Sequence, residues 1–169
     1  MNAAPTIAIV DRGRRIAFSF ESVLDYHGPG SPGGAALAFK VLERALPLLE
    51  PSGLCERREI VVETAFGGPG ARDAFELVTR AVTGERFHVD RTLERPERGR
   101  TLERFVFLLR YRERSVTLLL RAGFVTDEFV ALARAEQHGA DQERRLDALK
   151  LELAARVLAH PATAVYHTE

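Results

Sequence analysis

A histidine followed by a glycine-rich segment is the first feature of the sequence whose residue types could do chemistry. His27 precedes Gly28-Pro29-Gly30-Ser31-Pro32-Gly33-Gly34, and a second glycine-rich segment reads Phe66-Gly67-Gly68-Pro69-Gly70. An imidazole titrates near neutral pH, so His27 could transfer a proton or contact a ligand. Glycines let backbone N–H groups approach a small anion closely. If the fold brings the two segments together, they predict a pocket whose backbone is provided by Gly33, Gly34, Gly67, Gly68 and Gly70.

The first segment also contains the spacing G-x-G-x-x-G, from Gly28 to Gly33. A dinucleotide-binding loop requires a buried strand directly before it, whereas residues 21–26 have the pattern of a short helix. No Lys-Ser or Lys-Thr pair follows the glycines, as a phosphate-binding loop would need. A serine nucleophile at Ser31 would need a glycine two residues earlier, where the sequence has Pro29. The segment therefore favours neither nucleotide binding nor acyl transfer.

Metal-ligating residue types are sparse. The single cysteine, Cys55, excludes an intrachain disulfide and an all-cysteine metal site. No two of the five histidines have the spacing of a helix face or a zinc finger; they are His27, His88, His138, His160 and His167. A metal site assembled from residues of distant segments remains an alternative, and its oxygen donors would favour a hard ion. Such a site would join His27 to Asp73, Glu63 or the pair His88 and Asp90.

Charge and hydropathy exclude several classes of partner. The 24 Lys and Arg residues balance 24 Asp and Glu residues, which argues against non-specific duplex binding. No stretch approaches the roughly 20 apolar residues needed to cross a bilayer, and charged residues interrupt the N-terminal region early. These observations predict a soluble, cytoplasmic domain with no nucleic-acid and no membrane partner. The arginines within residues 110–121 could hold an anion, although a solvated sheet edge is the favoured interpretation.

Hydrophobic periodicity predicts the elements that must position these residues. Strands are predicted at residues 6–10, 14–20, 57–64, 87–93, 102–111 and 115–121. Helices are predicted at residues 21–26, 35–49, 71–82, 126–137 and 141–159, with Asp141 as the cap of the last. Pro47 is expected to kink the second helix or to end it near Ala45. The order of these elements indicates an α+β fold in one domain, with an N-terminal hairpin and C-terminal helices.

Two motifs follow one another along this predicted core. The first, from Val23 to Lys40, contains Tyr26-His27-Gly28, Ser31-Pro32-Gly33 and a closing Phe39-Lys40 pair. The second, from Gly70 to Gly84, contains Asp73-Ala74. Together with the hairpin downstream, the two motifs resemble the formylmethanofuran dehydrogenase E family over roughly residues 18–122.

The sequence departs from that family's pattern at its metal ligands. Pro29 stands where the family has a second histidine, and Ser31 stands where it has a cysteine. Gly70 and Ala81 occupy the positions of two further cysteines. The resemblance therefore implies a divergent member that lacks most of the usual Cys and His ligands. A divalent metal stays open only with His27 as one of its ligands.

The resemblance also implies an architecture and an assembly. It implies a mixed sheet in a helix–strand–helix–three-strand core, similar to the C-terminal domain of glyceraldehyde-3-phosphate dehydrogenase, and a homodimer. Residues 1–169 would then form one domain, with its core at about 18–122 and its C-terminal helices at about 126–159. The amphipathic helix from Leu146 to Val157 is a candidate dimer contact, although packing on its own sheet is favoured.

The preferred hypothesis is a small-ligand-binding or accessory protein with a pocket around His27 and both glycine-rich segments. Asp73 would orient His27 or cap its own helix, which makes the two a candidate catalytic pair. Tyr26, Ser31 and Phe66 join the glycines as candidate ligand contacts. Two alternatives stay open, a metal-dependent enzyme with a rebuilt His/carboxylate site and a dimeric interaction scaffold. The sequence names no substrate and does not decide whether the protein is an enzyme.

Overall fold

The computed structural model describes residues 3–169 and begins with a β-hairpin. Strands β1 (Thr6–Asp11) and β2 (Arg14–Ser19) pair antiparallel. Arg12 and Gly13 between them both have positive φ values, 52° and 81°, as a tight hairpin turn requires. The predicted N-terminal hairpin is therefore confirmed.

A buried helix lies at the centre of the molecule. Helix α1 (Phe20–His27) leads into α2 (Pro32–Leu49), of which 14 of 18 residues are buried. A helix that is apolar on nearly all sides must be covered on nearly all sides. The helices α3 (Pro69–Thr79) and α5 (Ala140–Leu158) pack against it, and strands of the sheet also contact it.

The main sheet has five strands and is mixed. Its order is β4-β3-β5-β6-β7, and only the β3–β4 pair is parallel. The five strands are β3 (Ile60–Thr64), β4 (Phe87–Val89), β5 (Val106–Tyr111), β6 (Arg114–Leu120) and β7 (Tyr166–Thr168). The predicted α+β class with a mixed sheet is thus confirmed, as is the order helix, strand, helix and three strands through β6.

The boundaries of α2 differ from the prediction. The helix begins at Pro32 rather than at Ala35, so Gly33 and Gly34 are helical. Proline suits the first helical position because its fixed φ matches the helix and its missing N–H has no helical partner there. The helix also does not end near Ala45 but runs through Pro47, because a proline this close to the C-terminus removes only one late hydrogen bond.

Several other elements are shorter than predicted. The strand predicted at 57–64 starts at Ile60 after a 3-10 turn, and the strand predicted at 102–111 starts at Val106. The strand predicted at 87–93 ends at Val89, where another 3-10 turn follows. Residues 57–59 and 91–93 form 3-10 turns instead of extended strand. Helix α3 likewise ends at Thr79 instead of Val82.

The C-terminal region shows the largest differences between the structure and the prediction. Helix α4 (Asp127–Ala133) is shorter than predicted, and α5 is capped by Gly139 rather than by Asp141, with the Gln142 side chain accepting from the Gly139 N–H. The apolar stripe of α5 packs mainly on α2 rather than on the sheet. A helical turn, α6 (Ala162–Val165), and strand β7 were not predicted. Within residues 3–169, no helix has the length and apolar character that crossing a membrane requires.

Candidate functional site

The two glycine-rich segments meet at one cavity of about 340 Å³. Six of the eight predicted ligand-contacting residues line it, namely Ser31, Gly34, Phe66, Gly67, Gly68 and Gly70. Tyr26 and Gly33 do not line it, and neither does His27 or Asp73. The structure therefore brings the glycine segments together as predicted but leaves the histidine outside the cavity wall.

Close approach of two helices explains two of the four glycines that line the cavity, Gly34 and Gly70. A Cβ on Gly70 would overlap the carbonyl oxygen of Ser31 and lie 2.8 Å from the backbone nitrogen of Ala35. A Cβ on Gly34 would lie 3.2 Å from the backbone nitrogen of Ala71. The first turns of α2 and α3 are thus pressed together where they form the cavity wall.

Gly33 has a different role from the predicted one. Its Cα faces α5, where an added Cβ would lie 2.9 Å from Leu153 Cδ2 and 3.0 Å from the Lys150 carbonyl oxygen. Gly33 is therefore a packing residue between α2 and α5. The prediction that it faces a ligand is not supported by this position.

Both helix N-termini at the cavity lack the usual negative partner. Ser31 and Gly68 are the N-caps of α2 and α3, and neither makes a side-chain capping hydrogen bond. Neither first turn contains an acidic residue. By contrast, α1 and α4 have side-chain caps and acidic residues in their first turns. A helix N-terminus carries free N–H groups and a partial positive charge. The N-termini of α2 and α3 therefore make the electrostatic potential in the cavity more positive.

Four cationic side chains add to this positive potential. Among the residues of 3–169 that line the cavity, none is acidic, while the cations are Arg91, Arg104, Arg134 and Lys150. Carboxylates just outside the lining lie near all four cations, with Asp147 Oδ1 3.6 Å from Lys150 Nζ and Glu94 beside Arg91. Arg104 Nε donates to Glu94 and Arg134 Nη1 donates to Glu103, both at 2.9 Å.

The cations are close enough to affect one another. Burial lowers the pKa of Arg91 from its ordinary value, and the charge of Arg104 lowers it further. Glu94, 3.8 Å from Arg91 Nη1, opposes this shift, while Arg134 adds to it. An anion bound beside Arg91 would stabilise the charged form of its guanidinium group.

Apolar side chains form the rest of the wall. The Phe66 and Phe105 rings lie 4.7 Å apart between centroids. Phe129 and Val130 of α4 and Leu146 of α5 complete this apolar surface. The cavity therefore combines an apolar interior with cationic groups, a combination typical of small-molecule sites.

His27 and Asp73 form a hydrogen-bonded pair beside the cavity. Nδ1 of His27 lies 2.7 Å from Oδ2 of Asp73, and the His27 side chain is 9% exposed. Its Nε2 atom is buried and, within the part of the chain that the structure describes, has no hydrogen-bond partner. Asp73 is the fifth residue of α3 and so orients His27 without capping the helix, whose N-cap is Gly68.

The other candidate metal donors do not join His27. Glu63 lies on β3, where its carboxylate is 2.8 Å from Arg110 Nε, and His88 is exposed on β4. Asp90 accepts from the Thr92 backbone N–H and hydroxyl, which lowers the pKa of its carboxyl. Across residues 3–169 no group of three or more His, Cys, Asp or Glu side chains is placed to hold a metal ion.

The remaining histidines lie in separate places. Nε2 of His138 is 2.6 Å from the Leu132 carbonyl oxygen, and His160 is exposed at the end of α5. His167 lies half-buried in β7. Burial lowers the pKa of His167, and the nearby charges of Arg98 and Arg121 lower it further.

The cationic residues of the cavity were missed by reasoning from sequence. The cluster considered there, residues 110–121, instead forms ion pairs on the exposed sheet surface, such as that of Arg112 with Glu59. Arg104, Arg134 and Lys150 come from a loop and two helices far apart in the chain. No local spacing marks them. The missing acidic residues in the first turns of α2 and α3 were the one local signal available.

Comparisons with known proteins provide no further assignment. No family model matches the chain, and no curated protein matches it.

Proposed function

We propose that the protein binds a small anionic molecule in the cavity between α2, α3, α4 and α5. One observation carries the proposal: two helix N-termini without side-chain caps and four cationic side chains share a cavity in which no described residue of the lining is acidic. Free N–H groups at a helix N-terminus are ready-made donors for an anion. Arginine side chains add charge-assisted hydrogen bonds, which are stronger than neutral ones.

The wider assignment is part of the same proposal. A divergent member of the formylmethanofuran dehydrogenase E family would keep this fold and pocket while lacking the usual metal ligands, with Ser31, Gly70 and Ala81 in place of cysteines. Such a protein would act in the cytoplasm as a ligand-binding or accessory homodimer. Light scattering at micromolar concentration tests the dimer, which a monomer mass would exclude.

Backbone NMR tests the ligand class without knowledge of the natural ligand. We expect inorganic phosphate or acetate to shift the amide signals of Gly34, Gly68 and Gly70 in ¹⁵N-labelled protein, with saturation. Sodium chloride at equal ionic strength should not produce saturating shifts of these signals, because a non-specific effect of salt is spread over the whole surface.

A pair of matched variants completes that test. Arg134→Ala, at the cavity, should weaken the saturating shifts, whereas Arg110→Ala, on the exposed sheet surface, should leave them unchanged. Shifts that do not saturate, or that are the same in both variants, would contradict the proposal.

A further inference from the structure

The side chains of the cavity are arranged by polarity. Three apolar residues of the lining are buried, with Phe105 at 3%, Val130 at 5% and Phe129 at 9% exposed. The cationic side chains are more exposed, from 19% for Arg134 to 51% for Arg91. A ligand that matches this arrangement has an apolar part that points inward and an anionic group that stays near the rim.

The apolar part of the cavity favours a flat ring. Phe66 packs on Phe105 and remains half-buried, and Phe129 approaches from α4. Aromatic rings pair with other rings in tilted or offset arrangements that add to the gain from burial alone. A volume of about 340 Å³ is at the low end of ligand cavities, which limits the ligand to one or two rings.

The cationic part favours a planar acid. Glu94 engages only Nε of Arg104, and Glu103 engages only Nη1 of Arg134. Each guanidinium carries five N–H donors in a fixed plane. The two ion pairs therefore hold the guanidinium planes in position and leave further donors for a carboxylate, which can accept from both ends.

We propose that the ligand of the cavity is an aromatic carboxylic acid of one or two rings, bound with its ring among Phe66, Phe105 and Phe129 and its carboxylate against Arg104 and Arg134. This inference rests on the proposed function and names the chemical class of its ligand. Lys150, whose Nζ donates to the Gly30 carbonyl at 3.1 Å, links α5 to the first glycine-rich segment beside the bound acid.

Isothermal titration calorimetry with four probes tests the two halves of the ligand separately. The probes are 2-naphthoate, its neutral amide 2-naphthamide, the saturated acid cyclohexanecarboxylate, and acetate. We expect 2-naphthoate to bind at least about tenfold more tightly than each of the others, a ratio that corresponds to the loss of one charge-assisted hydrogen bond or of ring contacts. Arg104→Gln should weaken the binding of 2-naphthoate, while Arg110→Gln should leave it unchanged.

The outcomes distinguish a failure of this inference alone from a failure of the proposed function. If acetate or cyclohexanecarboxylate binds as tightly as 2-naphthoate, the aromatic class is overturned while anion binding stands. If 2-naphthamide binds as tightly as 2-naphthoate, the cations are irrelevant and both claims fail. If none of the probes binds, both claims fail as well. Because the probe series uses the wild-type protein, these outcomes do not depend on the folding of a variant.

Discussion

At the scale of single residues, the structure gives the arginines specific structural roles. The chain has 22 arginines and only two lysines, Lys40 and Lys150. Arg57 and Arg86 bind the carbonyl groups that end α3, because the last turn of a helix leaves its carbonyls without N–H partners. A guanidinium can reach several carbonyls at once, whereas an ammonium cannot hold that fixed geometry.

Replacing Arg86 by lysine should destabilise the fold. Arg86 Nη2 donates to Thr79 and Arg80 carbonyls at 3.1 and 3.0 Å, and its Nη1 donates to the Ile60 carbonyl. Lysine would keep at most part of this set, so we expect Arg86→Lys to lower the free energy of unfolding by about 2 kcal/mol. Urea denaturation measures the change. The matched control is Arg114→Lys at an exposed position of β6, and an equal effect of the two would contradict the role of Arg86.

The His27–Asp73 pair gives a second prediction at this scale. Asp73→Ala would leave Nδ1 of a buried imidazole without its partner, which should cost about 1–3 kcal/mol of stability. Because neither residue lines the cavity, the affinity for 2-naphthoate should stay within about twofold of wild type. Asp25→Ala on the exposed side of α1 serves as control. A variant of unchanged stability that no longer binds the ligand would instead place the pair in the site.

At the scale of elements, the cavity depends on the close contact of α2 with α3. Glycine is required where the two first turns touch, since a Cβ on Gly70 would overlap a backbone carbonyl rather than a movable side chain. The same contact directs both helix N-termini into one space. The packing of these helices and the charge of the site are therefore consequences of the same residues.

Gly70→Ala should separate the two helices and lower the free energy of unfolding by more than about 2 kcal/mol, as overpacking of a tight site does. It should also weaken binding of 2-naphthoate, because the cavity wall moves. Gly53→Ala is a suitable control, since the nearest atom to its added Cβ is 3.9 Å away. Thermal denaturation and calorimetry report the two effects. A Gly70→Ala protein as stable as Gly53→Ala would disprove the contact.

Local sequence patterns were sufficient for most of the elements. The β5–β6 hairpin and the N-terminal hairpin follow from alternating residues and a short turn. Strand β7 could not be found in this way, because three residues carry no periodicity and their pairing partner β6 is about 50 residues away. The buried Tyr166 hydroxyl, which donates to the Leu37 carbonyl at 3.0 Å, holds β7 in place through α2.

The candidate site was predictable only in part, for the same reason. Glycine-rich segments are visible locally, and six of the residues predicted as ligand contacts line the cavity. The cations Arg104 and Arg134 reach the cavity through tertiary packing, which no spacing in the sequence records. His27 was predicted at the centre of the pocket with Asp73 to orient it; its ring does contact Asp73, but it does not line the cavity.

At the scale of the whole molecule, one domain buries its single thiol in the core. Cys55 is 1% exposed, and burial raises the pKa of its thiol to about 12, with the charge of Glu50 acting in the same direction. Burial also raises the pKa of Tyr166 well above its ordinary value. A buried thiol and a buried phenol that remain protonated make the folded state sensitive to alkaline pH.

The free energy of unfolding should fall as the pH rises from 9 toward about 12. A thiol with a raised pKa in the folded state contributes its full stability below the unfolded pKa of 9.0 and loses it as the pH passes through the folded value. Cys55 should account for a slope of up to about 1.4 kcal/mol per pH unit. Denaturation of Cys55→Ala and wild type across this range measures it. Identical slopes for the two proteins would contradict the assignment.

Binding of an aromatic carboxylate at the cavity combines both proposals, and a crystal structure with 4-bromobenzoate tests it. Anomalous scattering locates the bromine without reference to the protein. We expect one bromine peak next to Phe129 and Leu146, with the carboxylate within hydrogen-bond distance of Arg104 or Arg134. A bromine peak elsewhere on the molecule, or a cavity that contains only water at saturating 4-bromobenzoate, would contradict it.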